Sequence, residues 1–129
     1  MRLLLDTHVI LWAAAEPERL GDVRRALEDV ENELLVSAAS SWEIAIKHAL
    51  SRLALPQPPA RYVPHLIREL GATPVAIEHV HALAVADLPH HHRDPFDRML
   101  VAQAQVMRVP IVTSGTVLDA YDVDVLIAG

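Results

Sequence analysis

Apolar positions along the chain alternate between short continuous runs and spacings of three and four, the periods of buried strands and of amphipathic helices. RLLL at residues 2–5 is the first such run, and it gives way at Asp6 and Thr7 to the helical pattern HVILWAAA. Glu16, Pro17 and Gly21 punctuate the link to a second helix, predicted over about Asp22 to Glu31 with Val23, Ala26, Leu27 and Val30 on one side. LLVSA, residues 34–38, is a second buried strand. The following SSWEIAIKHALSRLAL is a third helix, with Trp42, Ala45, Ile46, Ala49, Leu50 and Leu53 as its apolar face. Pro56, Pro58 and Pro59 mark a loop, after which Val63, Leu66, Ile67 and Leu70 define a helix that stops at Gly71. TPVAI is a third strand, EHVHALAVADLP a short helix, PIVTS a fourth strand, TVLDAY a helical turn and VDVLI a closing strand. This alternation predicts an α/β fold in which a parallel sheet is covered on both faces.

The most strongly patterned helix lies in HHHRDPFDRMLVAQAQVMRVP, residues 90–110. Asp94 suits the cap, Pro95 the first turn, and Pro110 lies beyond the end. At 100° per residue Leu100, Val101 and Ala104 share the face of Asp97, while Met99, Ala102 and Val106 form a second apolar stripe. Asp97 therefore projects beside core residues, where an isolated ionised carboxylate is costly unless it is paired or binds a metal. The plainer alternative is that Asp94 and Asp97 cap the helix and oppose its dipole.

Composition narrows the chemistry. A chain of 129 residues with 52% hydrophobic content and a mean hydropathy of +0.24 is sized for one domain, 1–129, with a substantial core. Cysteine is absent, so any metal must be held by carboxylates or by some of the eight histidines. The apolar runs are short and the N-terminus lacks a signal-peptide pattern, from which a cytoplasmic protein with no membrane segment is expected. A formal charge of -6 argues against coating nucleic acid by bulk charge and suits a basic partner.

Separate elements then deliver acids to one kind of place, where strands end and helices begin: Asp6 after the first strand, Glu43 early in the third helix, and Asp94 with Asp97. Each has a structural alternative. Asp6 could cap the first helix, Ser40 and Glu43 fit an S-x-x-E capping box, and Glu43 with Lys47 fits an i,i+4 ion pair. If the acids converge, their repulsion calls for divalent cations, and an all-oxygen set suits Mg²⁺ or Mn²⁺. Such a cluster fits phosphodiester hydrolysis.

With LLLDTHVILW, SSWEIAIKHALSRLAL, HRDPFDRMLVAQA and the strand IVTS in this order, the chain resembles the PIN-domain ribonucleases of the VapC kind, toxins of type II toxin-antitoxin systems. The resemblance covers nearly the whole length. It implies a three-layer α/β/α sandwich with a central parallel sheet, a homodimer, Mg²⁺-dependent endoribonuclease activity and inhibition by a cognate antitoxin. It also implies Asp6, Glu43 and Asp97 as catalytic and metal-binding acids, with Asp94 the extra acid of members reading D-P-F-D.

The chain departs from the family pattern after the fourth strand, where T-x-D is replaced by Thr113, Ser114 and Gly115. Asp119 lies about one helical turn too far on, and Asp94 is the candidate substitute. Lys47, Arg93 and Arg98 fall within a turn of the acids and are candidate contacts to RNA phosphates, with His8 and His92 weaker ones. The run His90 to His92 could contribute to a metal or phosphate site or be a solvated loop. Trp12, Trp42 and Phe96 sit in apolar patterns, so no base-stacking platform is expected. Two other functions fit the same residues: a catalytically weak PIN domain that mainly binds a basic antitoxin, and a small metal-dependent phosphohydrolase.

Overall fold

The continuous apolar runs become strands buried on both sides. The computed structural model describes residues 1–129 and contains β1 (Arg2–Leu5), β2 (Glu33–Ser37), β3 (Thr73–Val75), β4 (Ile111–Thr113) and β5 (Val125–Ile127). They form one sheet in the order β3-β2-β1-β4-β5, parallel at every pairing. The helices are α1 (Thr7–Ala15), α2 (Val23–Glu28), α3 (Ala38–Ala49), α4 (Pro59–Leu70), α5 (His79–Ala84) and α6 (Pro95–Met107). No helix is long and apolar enough to cross a membrane.

Alternation along β1 divides the core into two layers. Leu3 and Leu5 pack with Val9 and Ile10 of α1 and with Tyr62 and Leu66 of α4. Leu4 packs on the other side with Leu100, Val101 and Ala104 of α6. The sandwich implied by the sequence is therefore present. Its consequence for function lies in the connections. From β1 the chain steps outward to β2 and β3, then returns through α5 and α6 to set β4 on the other side of β1. The strand order reverses between β1 and β4, and a crevice opens at the carboxyl ends of neighbouring strands at such a point.

Several helix boundaries and faces differ from the sequence expectation. α2 ends at Glu28 rather than near Glu31, because Asp29 turns to extended backbone, its carboxylate accepts from the Glu31 N–H, and Asn32 donates to the Ala26 carbonyl. Val30 is consequently outside the helix and 95% exposed. α3 begins directly after β2, capped by Ser37, whose Oγ accepts from the Ala39 N–H; the predicted Ser40–Glu43 capping box does not form. Its buried face is Ala39, Ser40, Glu43 and Ile44, while Trp42 is 57% exposed and Leu50 also faces out. The hydroxyl and carboxylate on the buried face have partners there, and those partners outweigh the apolar alternative. In α6, capped by Asp94 as expected, Ala102 is buried but Val106 is exposed.

Gln103, fully buried on α6, ties three elements together. Its Oε1 accepts from Ser37 Oγ, and its Nε2 donates to the Ala76 carbonyl at 3.3 Å and lies 3.3 Å from His81 Nδ1. Because the Glu78 N–H also donates to His81 Nδ1, that nitrogen is the acceptor and the ring's proton sits on Nε2. Gln103→Leu keeps the volume but strands buried partners, so urea unfolding is expected to show a loss of about 2 kcal/mol. An unchanged midpoint would show that this network contributes nothing net.

Candidate active site

The crevice between β1 and β4 is where the acids gather. Asp6 follows β1, is buried, and answers three donors: the Val9 N–H at 2.9 Å, Thr113 Oγ1 at 2.6 Å and the Ser114 N–H at 3.1 Å. Both readings of Asp6 thus hold at once, since it caps α1 and also faces the end of β4. Glu43, on the buried face of α3, accepts from Thr7 Oγ1 at 2.6 Å on one oxygen and from the Lys47 ammonium on the other. Thr7 Oγ1 also lies 3.1 Å from Ser40 Oγ. The i,i+4 ion pair expected on the surface therefore forms with one partner, Glu43, only 3% exposed.

Asp94 and Asp97 come from the first turn of α6. One Asp94 oxygen accepts from the N–H groups of Phe96 and Asp97 at 2.8 and 3.2 Å, leaving the other without a protein hydrogen bond. Asp97 Oδ2 lies 2.9 Å from His92 Nε2, and candidate ligand atoms of His92, Asp94 and Asp97 all fall within 4.8 Å of one another. Burial pushes the Asp97 carboxyl above the usual carboxylate range; the His92 bond opposes this, and the charges of Asp94, Asp6 and Glu43 add to the rise. The hydrogen bond from Lys47 to Glu43 raises the ammonium pKa against burial, with further help from the charges of Glu43, Asp94 and Asp97. The charges of Asp94, Asp6 and Glu43 thus all bear on Asp97, while the ligand atoms that lie within 4.8 Å of one another are those of His92, Asp94 and Asp97.

The cationic candidates separate. Lys47 faces the acids and Arg93 is exposed in the loop before α6. Arg98 is corrected: it is 9% exposed, and its guanidinium donates to the carbonyls of Pro89, Val85 and Leu88 and to the Tyr121 hydroxyl at 2.8 to 3.4 Å. It fastens α6 to the loop before it and is not available to RNA. Position within a turn of Asp97 could not distinguish these fates, because residues 97 and 98 point about 100° apart.

Sequence reasoning missed Thr7, Thr113 and Ser114, which orient the carboxylates, and Ser40, which meets the Thr7 hydroxyl; the D-T pair at 6–7 and the T-S pair at the end of β4 are the available signals. His92 also reaches an acid, and nothing within a run of histidines marks which one does. The exposed Trp42 ring meets the Phe96 ring edge-on at 5.2 Å, so aromatic surface does adjoin the start of α6. Gly115 follows β4 without a positive φ, and a Cβ there would meet nothing within 4 Å. Asp119 is exposed on the short 3₁₀ turn beyond. The largest surface cavity, lined by Arg108, Tyr121, Asp122 and Asp124, lies instead at the opposite end of β4 and β5.

The raised Asp97 pKa fixes a pH dependence. Above its folded value the ionised group opposes folding, and that cost fades as pH falls through the window down to the unfolded value. With chelator present, Asp97→Asn is expected to unfold at a higher temperature than the parent at neutral pH. Thermal scans on lowering pH through that window should show the difference shrinking; a constant difference would mean that ionisation of Asp97 is not its source.

Residues 3–124 match the PIN domain family. Ribonuclease VapC22 of Mycobacterium tuberculosis is 35% identical over 105 residues, covering 79% of this chain and 78% of that protein. Ribonuclease VapC16 of the same organism is 42% identical over 64 residues, which span 50% of this chain but only 45% of that protein. Among solved structures, VapBC2 from Rickettsia felis bound to a promoter DNA fragment aligns over the whole of both chains with a TM-score of 0.74 at 10% identity. DNA-bound VapBC from Salmonella typhimurium aligns over 98% of both chains with a TM-score of 0.67 at 14% identity. At such identities these structures share the fold, and the sequence matches carry the relationship. The motifs that suggested a resemblance thus run through a match of nearly full length, and the chain belongs to the PIN domain family.

Proposed function

We propose that this protein is a metal-dependent endoribonuclease and the cytoplasmic toxin of a toxin-antitoxin pair. It would hydrolyse RNA phosphodiester bonds with Mg²⁺, or Mn²⁺ in its place. The observation that carries the reading is the convergence of Asp6, Glu43, Asp94 and Asp97, with His92, at the reversal of strand order. The ribonuclease names of relatives and the toxin-antitoxin complexes among its structural neighbours support the same reading.

The donor set fits a divalent cation. Asp94 offers an oxygen free of protein hydrogen bonds, Asp97 keeps one oxygen outside its contact with His92, and a cation would offset both the burial and the neighbouring charges that raise the Asp97 pKa. Asp97, Asp94, Asp6 and Glu43 would hold it, and when bound it supplies Lewis acidity to an attacking water and to a phosphoryl oxygen. The chain's own residues do the positioning. Thr113 and the Ser114 N–H fix Asp6, and Thr7 fixes Glu43, so these carboxylates need little reorganisation. Lys47 and Arg93 are the cations near the acids that could meet RNA phosphates. An acidic site in a protein of net charge -6 favours an antitoxin that inserts Arg or Lys, and exposed Trp42 and Leu50 leave apolar surface for a homodimer.

The deciding experiment uses the purified protein free of antitoxin with structured RNA. Cleavage is expected with Mg²⁺ or Mn²⁺, to stop with chelator, and to fall by about 100-fold or more in Asp97→Asn. RNA left intact under all these conditions, with phosphate released from small esters, would move the assignment to a phosphohydrolase.

A weak enzyme whose main role is antitoxin binding draws its support from Gly115, where the family pattern has an acid. Gly115→Asp meets no steric obstacle and no positive-φ strain. It is expected to tighten Mn²⁺ binding by about threefold or more and to raise cleavage at limiting metal, because divalent affinity rises with ligand charge. Without metal the variant should be less stable than the parent. Identical calorimetric titrations of the two folded proteins would show that position 115 does not address the cation.

A further inference from the structure

Glu43 presents a problem that the proposed chemistry leaves open. Its carboxylate is 3% exposed and its charge reaches Asp97, yet both its oxygens are already engaged. Thr7 donates to Oε1 and the Lys47 ammonium to Oε2. Lys47 is itself 37% exposed, one turn along α3, with its charge also felt from Asp94 and Asp97. A half-exposed lysine therefore supplies the positive charge that a buried acid requires, on the side where the other carboxylates stand. No other cationic side chain makes an ion pair with Glu43.

We propose that Lys47 is the built-in counter-cation of the carboxylate cluster, and that a divalent cation binds through Glu43 only by displacing the Lys47 ammonium from it. This deepens the metal-dependent reading and rests on it. Two positive charges cannot share one carboxylate oxygen at contact distance without strong repulsion. Lys47 has the means to leave: a flexible four-carbon stem, an ammonium that water can solvate, and no other hydrogen bond holding it. Thr7 stays with Glu43 in either state, since a hydroxyl carries no net charge. Lys47 is thus a positioning residue, one that holds the Glu43 carboxylate in place before metal arrives. Its presence weakens metal affinity in return for a folded site without metal.

The test is a double-mutant cycle on the whole protein, read by Mn²⁺ calorimetry and by thermal unfolding in chelator. Lys47→Met should bind Mn²⁺ about tenfold more tightly than the parent and unfold at a lower temperature without metal. Lys47→Arg, which keeps the charge, should restore metal-free stability. In a Glu43→Gln background, Lys47→Met should change Mn²⁺ affinity by less than about twofold, because the contested carboxylate is gone.

A tenfold tightening that persists in the Glu43→Gln background would overturn the proposal, because it would show a general field effect without displacement. Unchanged or weaker Mn²⁺ binding in Lys47→Met would overturn it as well, while leaving the metal site intact. If the parent protein takes up no Mn²⁺, the metal-dependent reading fails and the inference fails with it. Should Lys47→Met not fold, Lys47→Gln in the same cycle retains a polar group at the position and reads the same coupling.

Discussion

Like charges brought to one end of a sheet repel, and much of the local structure answers that repulsion. Asp6 is met by two backbone N–H groups and the Thr113 hydroxyl, Glu43 by Thr7 and Lys47, Asp97 by His92, and Asp94 by the first N–H groups of α6. Each contact sets a polar or cationic partner against a carboxylate oxygen that would otherwise face its neighbours unpaired. At Asp97, burial and the neighbouring acids still raise the pKa despite His92. A cluster held this way is organised before any cation arrives, which is the condition under which fixed charges act on a reaction without reorganising during it.

The sheet supplies the place. Because β4 returns beside β1 after the chain has built β2 and β3, Asp6 and Thr113 end neighbouring strands although they are far apart in sequence. The two strands send their following segments to different faces, so helix starts can bring acids to the crevice from α3 and α6 without crowding it. Arg98 and Gln103 hold this arrangement from below, bonding α6 to the preceding loop, to β2's end and to α5. Their polar groups are buried with partners, and such networks favour one arrangement of the surrounding elements. Residues next to the acids in sequence can therefore be wholly structural, as Arg98 is.

Periodicity by itself determined the order and type of the elements. The continuous runs RLLL, LLVS and PIVT fit strands covered on both faces, because they are too short for helices and exposing either side would leave Leu, Ile or Val in water. Asp94 and Pro95 fixed the start of α6 through local chemistry alone, and Gly71 fixed the end of α4 by adopting the left-handed conformation at φ 61°. Asp6 after β1 and Asp94 with Asp97 at the start of α6 were also marked by their places at element ends, whereas Glu43 lies a turn inside α3.

Tertiary structure decided what the local patterns left degenerate. A helical wheel treats Trp42 as core and Glu43 as border, yet the positions are reversed, because Thr7 and Lys47 reach Glu43 while Trp42, met edge-on by Phe96, stays 57% exposed. Nothing in the spacing of residues 47, 93 and 98 shows which cation faces acids, which faces solvent and which is tied to carbonyls. The same holds for His92 among three adjacent histidines. Partners such as Thr113 lie more than a hundred residues from Asp6, and their approach is set by sheet order, which depends on the packing of both layers at once. Hydrophobic period is a local property of the chain; the pairing of buried charges is a property of the assembled fold.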